Sequence, residues 1–143
     1  MTMTDNEQLI RELYACAEGD RGEFQKAASF FANDGFMLDM PTGKKFRGRA
    51  IGDSLEDFAS AFPDVHRELL DIYVAGDVVV VELATRGTHR GELILPSGSL
   101  APTGKRIDVP SCDVYHVRNG KVTSFHCYNT PSALLQQLGI GPG

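Results

Sequence analysis

The chain has 143 residues, 42% of them hydrophobic and 23% charged, with a formal net charge of −5. That length fits one domain over residues 1–143, with room for a core and a cavity, and the acidic balance speaks against a nucleic-acid partner gripped through its phosphates. No apolar run approaches the roughly 18 residues of a membrane span, and the start MTMTDNEQLIRELYA lacks the basic end and long apolar core of a signal peptide. A cytoplasmic protein with no membrane role is the expectation.

Thr4 and Glu7 have capping-box spacing, and Leu9, Ile10, Leu13, Tyr14 and Ala17 follow at helical period, which predicts a first helix over about residues 5–18. Phe24, Ala27, Ala28 and Phe31 continue the stripe in a shorter second helix. FMLDMP reads as a strand stopped by Pro41, and TGKKFRG as a turn with a basic second arm. The cluster Lys44, Lys45, Arg47 and Arg49 there reads as a solvated hairpin. AIGDSLEDFASAF carries Ile51, Leu55, Phe58, Ala59 and Phe62 on one helical face and ends before Pro63.

Beyond Pro63 the period changes to two. HRELLDIYVAG, DVVVVELATRGTHRGEL and GKRIDVPSCDVYHVRNGKVTSFHCYN alternate apolar and polar residues as half-buried strands do, and PSALLQQLGIGPG reads as a short helix with a Gly-rich tail. Helices first and hairpin-linked strands after predict an α+β domain with one antiparallel sheet. Alternation places His66 at the end of the apolar face of its strand and His89 on the face of Val79, Val81 and Leu83. Each fits either a hydrogen-bonded core residue or the wall of a polar-lined cavity.

Asn119-Gly120 is a strong two-residue hairpin signal, and such a loop sets the register. It pairs Val117 with Val122, Tyr115 with Ser124, Asp113 with His126, and Ser111 with Tyr128. Asp113 and His126 then form a non-hydrogen-bonded pair with Cα atoms about 4.5 Å apart. A carboxylate beside an imidazole orients it and raises its pKa, which prepares it for acid/base work. Val109, Val117, Val122, Tyr115 and Tyr128 share that face, which favours a buried or cleft-lining pair. The other face carries Val114, Phe125, His116, Thr123 and an opposed Cys112 and Cys127, and it too could be the core side.

The three Cys lack CxxC spacing, so neither a zinc site nor a disulfide framework is expected, and the thiols read as reduced. His66, His89 and His126 come from distant segments, so no metal is expected either. Phosphate-loop, dinucleotide and nucleophile-elbow motifs are missing from the sequence. The chemistry left open is cofactor-free proton transfer.

FFANDGFMLDMP, FPDVH, AGDVVVVELATRGTHRGEL, PTGKRIDV, DVYHVRNGKVTSFH and LLQQLG, in that order, resemble the SnoaL-like polyketide cyclases of the nuclear transport factor 2-like superfamily. The resemblance implies a curved sheet wrapped by the N-terminal helices, an apolar pocket, a homodimer and a small hydrophobic ligand, with no cofactor. It implies aldol cyclisation or ketosteroid-type isomerisation as the chemistry. An ungapped match puts Thr130, with Asn129 beside it, where the cyclases carry an acid/base Asp. Asp113 matches the oxyanion-hole Asp of ketosteroid isomerases, whose base Asp falls on Met40, one place from Asp39, and whose oxyanion-hole Tyr falls on Glu12. FPDVH and GTHRG match pocket borders, which supports His66 and His89 as lining residues. The expected site is therefore His126 and Asp113 as the catalytic pair, with His66, His89, Tyr115, Tyr128, Asn129 and Thr130 around the ligand. Asp113 as a neutral hydrogen-bond donor is the reversed assignment, and a non-catalytic ligand-binding dimer of the same fold is the alternative function.

Overall fold

The computed structural model describes residues 4–19 and 22–140. The end of the Gly-rich tail lies outside them. Helix α1 spans Asp5–Cys16, and Thr4 caps it by accepting the Glu7 N–H at 3.1 Å, as the capping-box spacing predicts. Its buried stripe is Ile10, Leu13 and Tyr14. The helix stops short of residue 18 because the chain must bend under Pro63: Gly19 donates to the Val65 carbonyl, and a Cβ there would collide with the Pro63 carbonyl oxygen.

Helix α2 covers Phe24–Ser29, and Phe31 opens strand β1 (Phe31–Asp39) instead of prolonging the helix. The Val122 N–H binds the Phe30 carbonyl there and draws the chain into the sheet. Strand β2 (Lys44–Phe46) and helix α3 (Arg49–Ala61) come next. The long strands are β3 (His66–Ala75), β4 (Val78–Thr88), β7 (Arg106–Arg118) and β8 (Lys121–Tyr128); β5 (Leu93–Leu95) and β6 (Gly98–Leu100) form a separate hairpin, and α4 covers Pro131–Gln137.

The six-stranded sheet has the order β2-β1-β8-β7-β4-β3. Every pair is antiparallel except β1 and β8, which run parallel, so the sheet departs in one place from the all-antiparallel expectation. That pair joins the first strand to the last, across the whole length of the chain between them. The fold is α+β, with a curved, mostly antiparallel sheet and helices packed on its inner face.

Three bulges set which residues look inward. In β1 the register slips between Phe31 and Phe36, and a Cβ on Gly35 would stand 2.6 Å from the Val122 carbonyl oxygen. In β3 the slip falls between Leu69 and Asp71, and in the β7–β8 hairpin between His116 and Val117. One core cluster lies between α1 and the inner face of β4, β7 and β8, around Leu13, Tyr14, Val81, Tyr115 and Phe125. A second joins the end of α3, β5, the start of β7 and Leu138 beyond α4.

Candidate active site on the inner face of the sheet

The hairpin register is the first correction. Arg118 pairs with Lys121 and Val117 with Val122, as the Asn-Gly turn predicts, but beyond them Thr123 is an extra residue and every later pair moves by one. Asp113 therefore faces Cys127, His126 faces Val114, and Tyr128 faces Cys112. Directly paired residues share a sheet face, so Asp113 and His126 point to opposite sides. The predicted carboxylate–imidazole pair does not form, and neither does the opposed Cys112 and Cys127 pair.

His126 stands on the outer face, where its ring lies 6.1 Å from Phe36 and 6.4 Å from His116. Tyr128 is on that face too and 45% exposed, so it does not share the wall with Tyr115. His66 also faces outward, because the bulge at Leu70 reverses the phase of β3: Arg67 and Leu69 point inward before it, and Ile72 and Val74 after it. The His66 ring is held by Glu18 at 2.9 Å and Glu68 at 3.4 Å, and the Glu18 hydrogen bond raises its pKa.

His89 is buried, as alternation predicts, but against Phe62 in the second core cluster. Its Nδ1 accepts the Thr103 N–H at 3.1 Å, which leaves the proton of the neutral ring on an unpaired Nε2. It lies eight residues beyond Val81, the partner of Asp113, roughly 25 Å along an extended strand. It therefore stands apart from Asp113. Thr130 donates to the Pro110 carbonyl at 2.8 Å, whereas Asn129 turns inward.

What the inner face brings together is a row across three adjacent strands: Asp39 of β1 beside Cys127 of β8, and Cys127 beside Asp113 of β7. The Asn129 amide ties one end, donating to Asp39 Oδ1 at 2.5 Å and to Cys127 Sγ at 3.5 Å. Thr42 donates to Asp39 Oδ2 at 2.5 Å. At the other end Tyr14, from α1, donates its hydroxyl to Asp113 Oδ2 at 2.6 Å.

Asp113 is only 3% exposed, and burial pushes its pKa up to about 6 against the opposing pull of the Tyr14 hydrogen bond and the Arg67 charge. Its Oδ1 and the neighbouring Tyr115 hydroxyl have no partner. Burial, and next the Asp113 charge, holds Tyr14 and Tyr115 well above the ordinary phenol range, so both remain donors. The same two causes raise the Cys127 thiol. All three cysteines are free.

Asp39, Tyr14 and Cys127 were not expected at the site. Tyr14 lay hidden in an apolar helical stripe, where an aromatic reads as core. Asp39 lay on the apparently polar face of FMLDM, because nothing in that segment shows that Met37 and Asp39 look inward. Gly35, just before it, was the available sign of a bulge.

The sequence matches the SnoaL-like polyketide cyclase family over residues 7–138. The chain belongs to that family. Among solved structures, one named as a SnoaL-like polyketide cyclase from Jannaschia sp. CCS1 superposes with a TM-score of 0.83 at 15% identity, covering 99% of both chains. AclR, named as a hydroxylase from Streptomyces galilaeus, gives 0.82 at 22%, covering 99% of this chain and 85% of its own. A protein of ketosteroid isomerase-like fold from Catenulispora acidiphila DSM 44928, solved with trimethylamine, gives 0.76 at 23% and covers 93% of both. At such identities the likeness is one of fold. No curated protein sequence matches the chain.

Thr130, where the ungapped match puts the cyclase Asp, is thus bound to the backbone, and beside it the Asn129 amide joins the inner row through the Asp39 carboxylate. Among the described residues no three His, Cys, Asp or Glu side chains are placed to hold a metal ion, and no helix is long and apolar enough to cross a membrane.

Proposed function

We propose that this chain is a single-domain, cofactor-independent cyclase or isomerase that moves a proton on a hydrophobic carbonyl compound. Asp39 is the base and Asp113, held by Tyr14, the hydrogen-bond donor to the developing enolate. The observation that carries this reading is the Asp113–Tyr14 pair, with one carboxyl oxygen free, on the same inner row as Asp39. Tyr14 from α1, Asp39 at the end of β1 and Asp113 in β7 supply the three kinds of group that the isomerase resemblance calls for, and two of them stand one or two places from the ungapped match.

In this mechanism Asp39 takes the proton α to the carbonyl, and the C–H electron pair moves to the carbonyl oxygen. Protonated Asp113 stabilises that oxygen through Oδ1–H, as the donors of an oxyanion site do. Asp39 then protonates a different carbon of the conjugated enolate, or the enolate carbon attacks a second carbonyl whose oxygen takes the proton held by Asp39; either way Asp39 returns to the carboxylate and Asp113 keeps its proton. Asn129 keeps Asp39 aimed inward.

The test is α-proton exchange of an enolisable cyclic ketone in D₂O, monitored by NMR. Exchange that is lost in Asp39→Asn and Asp113→Asn supports the assignment; exchange equal to wild type in Asp39→Asn sinks it. The burial of Asp113 Oδ1 and the Tyr115 hydroxyl favours a second reading, a dimer that holds a ligand without turning it over. A ligand retained in native mass spectrometry with no exchange would establish that one. Three free thiols suit a cytoplasmic protein, and exposed Leu70, Tyr73 and Tyr128 are apolar area that a homodimer would cover.

A further inference from the structure

The basic run Lys44, Lys45, Arg47 and Arg49 divides in the folded chain. Lys44 lies over Phe46 at 5.2 Å, while Lys45 and Arg47 lie over Phe36 at 4.4 Å and 5.5 Å. Arg49, the first residue of α3, instead lines a depression of about 840 Å³ with Arg118 and Lys121 from the β7–β8 hairpin. Asn33 and Asn119 add amides to its wall, and Asp34 is its single carboxylate.

Three cations thus meet one carboxylate in a chain whose net charge is −5. Among the described residues Arg49 and Arg118 form no ion pair, and Lys121 gives a hydrogen bond only to the Ser29 carbonyl, at 3.0 Å. All three are exposed, so water screens their mutual repulsion and leaves them open to an anion. Arg118 is five residues beyond Asp113 on β7, roughly 17 Å away, so this place is separate from the acid/base row.

We propose that the depression binds the phosphate group of a phosphorylated small molecule, held by Arg49, Arg118 and Lys121. Its volume is that of a small-molecule site. Two guanidinium forks and an ammonium exceed what one carboxylate needs and match a dianionic phosphate ester, whose three oxygens accept from all of them. Asn119, fixed at the hairpin turn with φ of 53°, supplies a donor that does not titrate.

The test is calorimetry of the full chain in phosphate-free buffer with phenyl phosphate, inorganic phosphate and benzoate. Saturable 1:1 binding of phenyl phosphate is expected, weaker as salt is raised and weakened at least about tenfold by Arg118→Ala and by Lys121→Ala. Inorganic phosphate should bind at the same place, and Asp113→Asn should leave binding unchanged. Saturation absent up to about 10 mM, a signal that survives both substitutions, or equal affinity for benzoate would each overturn the proposal. Because both substituted residues are exposed, the variants should keep the fold, to be checked by circular dichroism.

Discussion

The two faces of the β7–β8 hairpin each carry titratable and aromatic side chains and behave in opposite ways. Inward lie Asp113 and Tyr115, buried and in contact with Tyr14, with half-buried Cys127 beside Asp113; outward lie exposed His116 and Tyr128 and half-buried His126. Burial makes the difference chemical. The inner carboxyl has its pKa raised to about 6 by desolvation, whereas the outer histidines have no carboxylate at hydrogen-bond distance among the described residues. A titratable pair therefore cannot be assigned from residue types; it depends on which side of the sheet each member takes.

The largest test of that contrast is catalytic. Asp39→Asn or Asp113→Asn should lower α-proton exchange by about 10²–10⁴-fold, and His126→Ala by less than about twofold. NMR exchange rates on the three variants decide it. Next comes stability. Tyr115→Ala opens a cavity in the main core and should cost about 3–5 kcal/mol in urea unfolding, against less than about 1 kcal/mol for exposed Tyr128→Ala. A similar loss for both would mean that the outer face is covered, as in a dimer.

Third is pH. The folded pKa of Asp113, about 6, lies above its ordinary value of 3.8, so the folded state binds the proton more tightly than the unfolded state. Its contribution is fully present below pH 3.8 and is lost as pH rises through about 6, a swing of about 3 kcal/mol. Thermal melts of Asp113→Asn should lack that acid-side slope. The smallest effect is at His66, 48% exposed beside Glu18. Its raised pKa adds stability below the ordinary histidine range that fades as pH rises past it, and solvent screening limits this to at most about 0.5 kcal/mol. His66→Ala melts compared on either side of that range would detect it.

The fold was legible because it rests on long periodic signals. The helical stripe of α1, the alternation of β4 and β7, and the Asn-Gly turn each survive in the structure, and alternation alone put Val109, Asp113, Tyr115 and Val117 on one buried face. The site was less legible because it depends on phase. The bulges at Leu70 and Thr123 each invert the facing along their strand, which turns His66, His126 and Tyr128 outward and Cys127 inward, while the irregularity between Phe31 and Phe36 leaves Phe31, Met37 and Asp39 on one side. Tyr14 needed tertiary information of another kind, since its partner is ninety-nine residues away.

Thr123 has a consequence that reaches beyond this hairpin. It carries no group of the inner row, yet it sets the parity of every position after it in β8. Were Thr123 taken into the ladder instead of bulging out, every later pair would move by one, bringing His126 to the side of Asp113 and sending Cys127 out. Two relatives could therefore agree at every chemical position and still present different reactive groups to a ligand. In comparing such proteins, whether a residue after the turn pairs or bulges is as much a determinant of chemistry as the residues themselves.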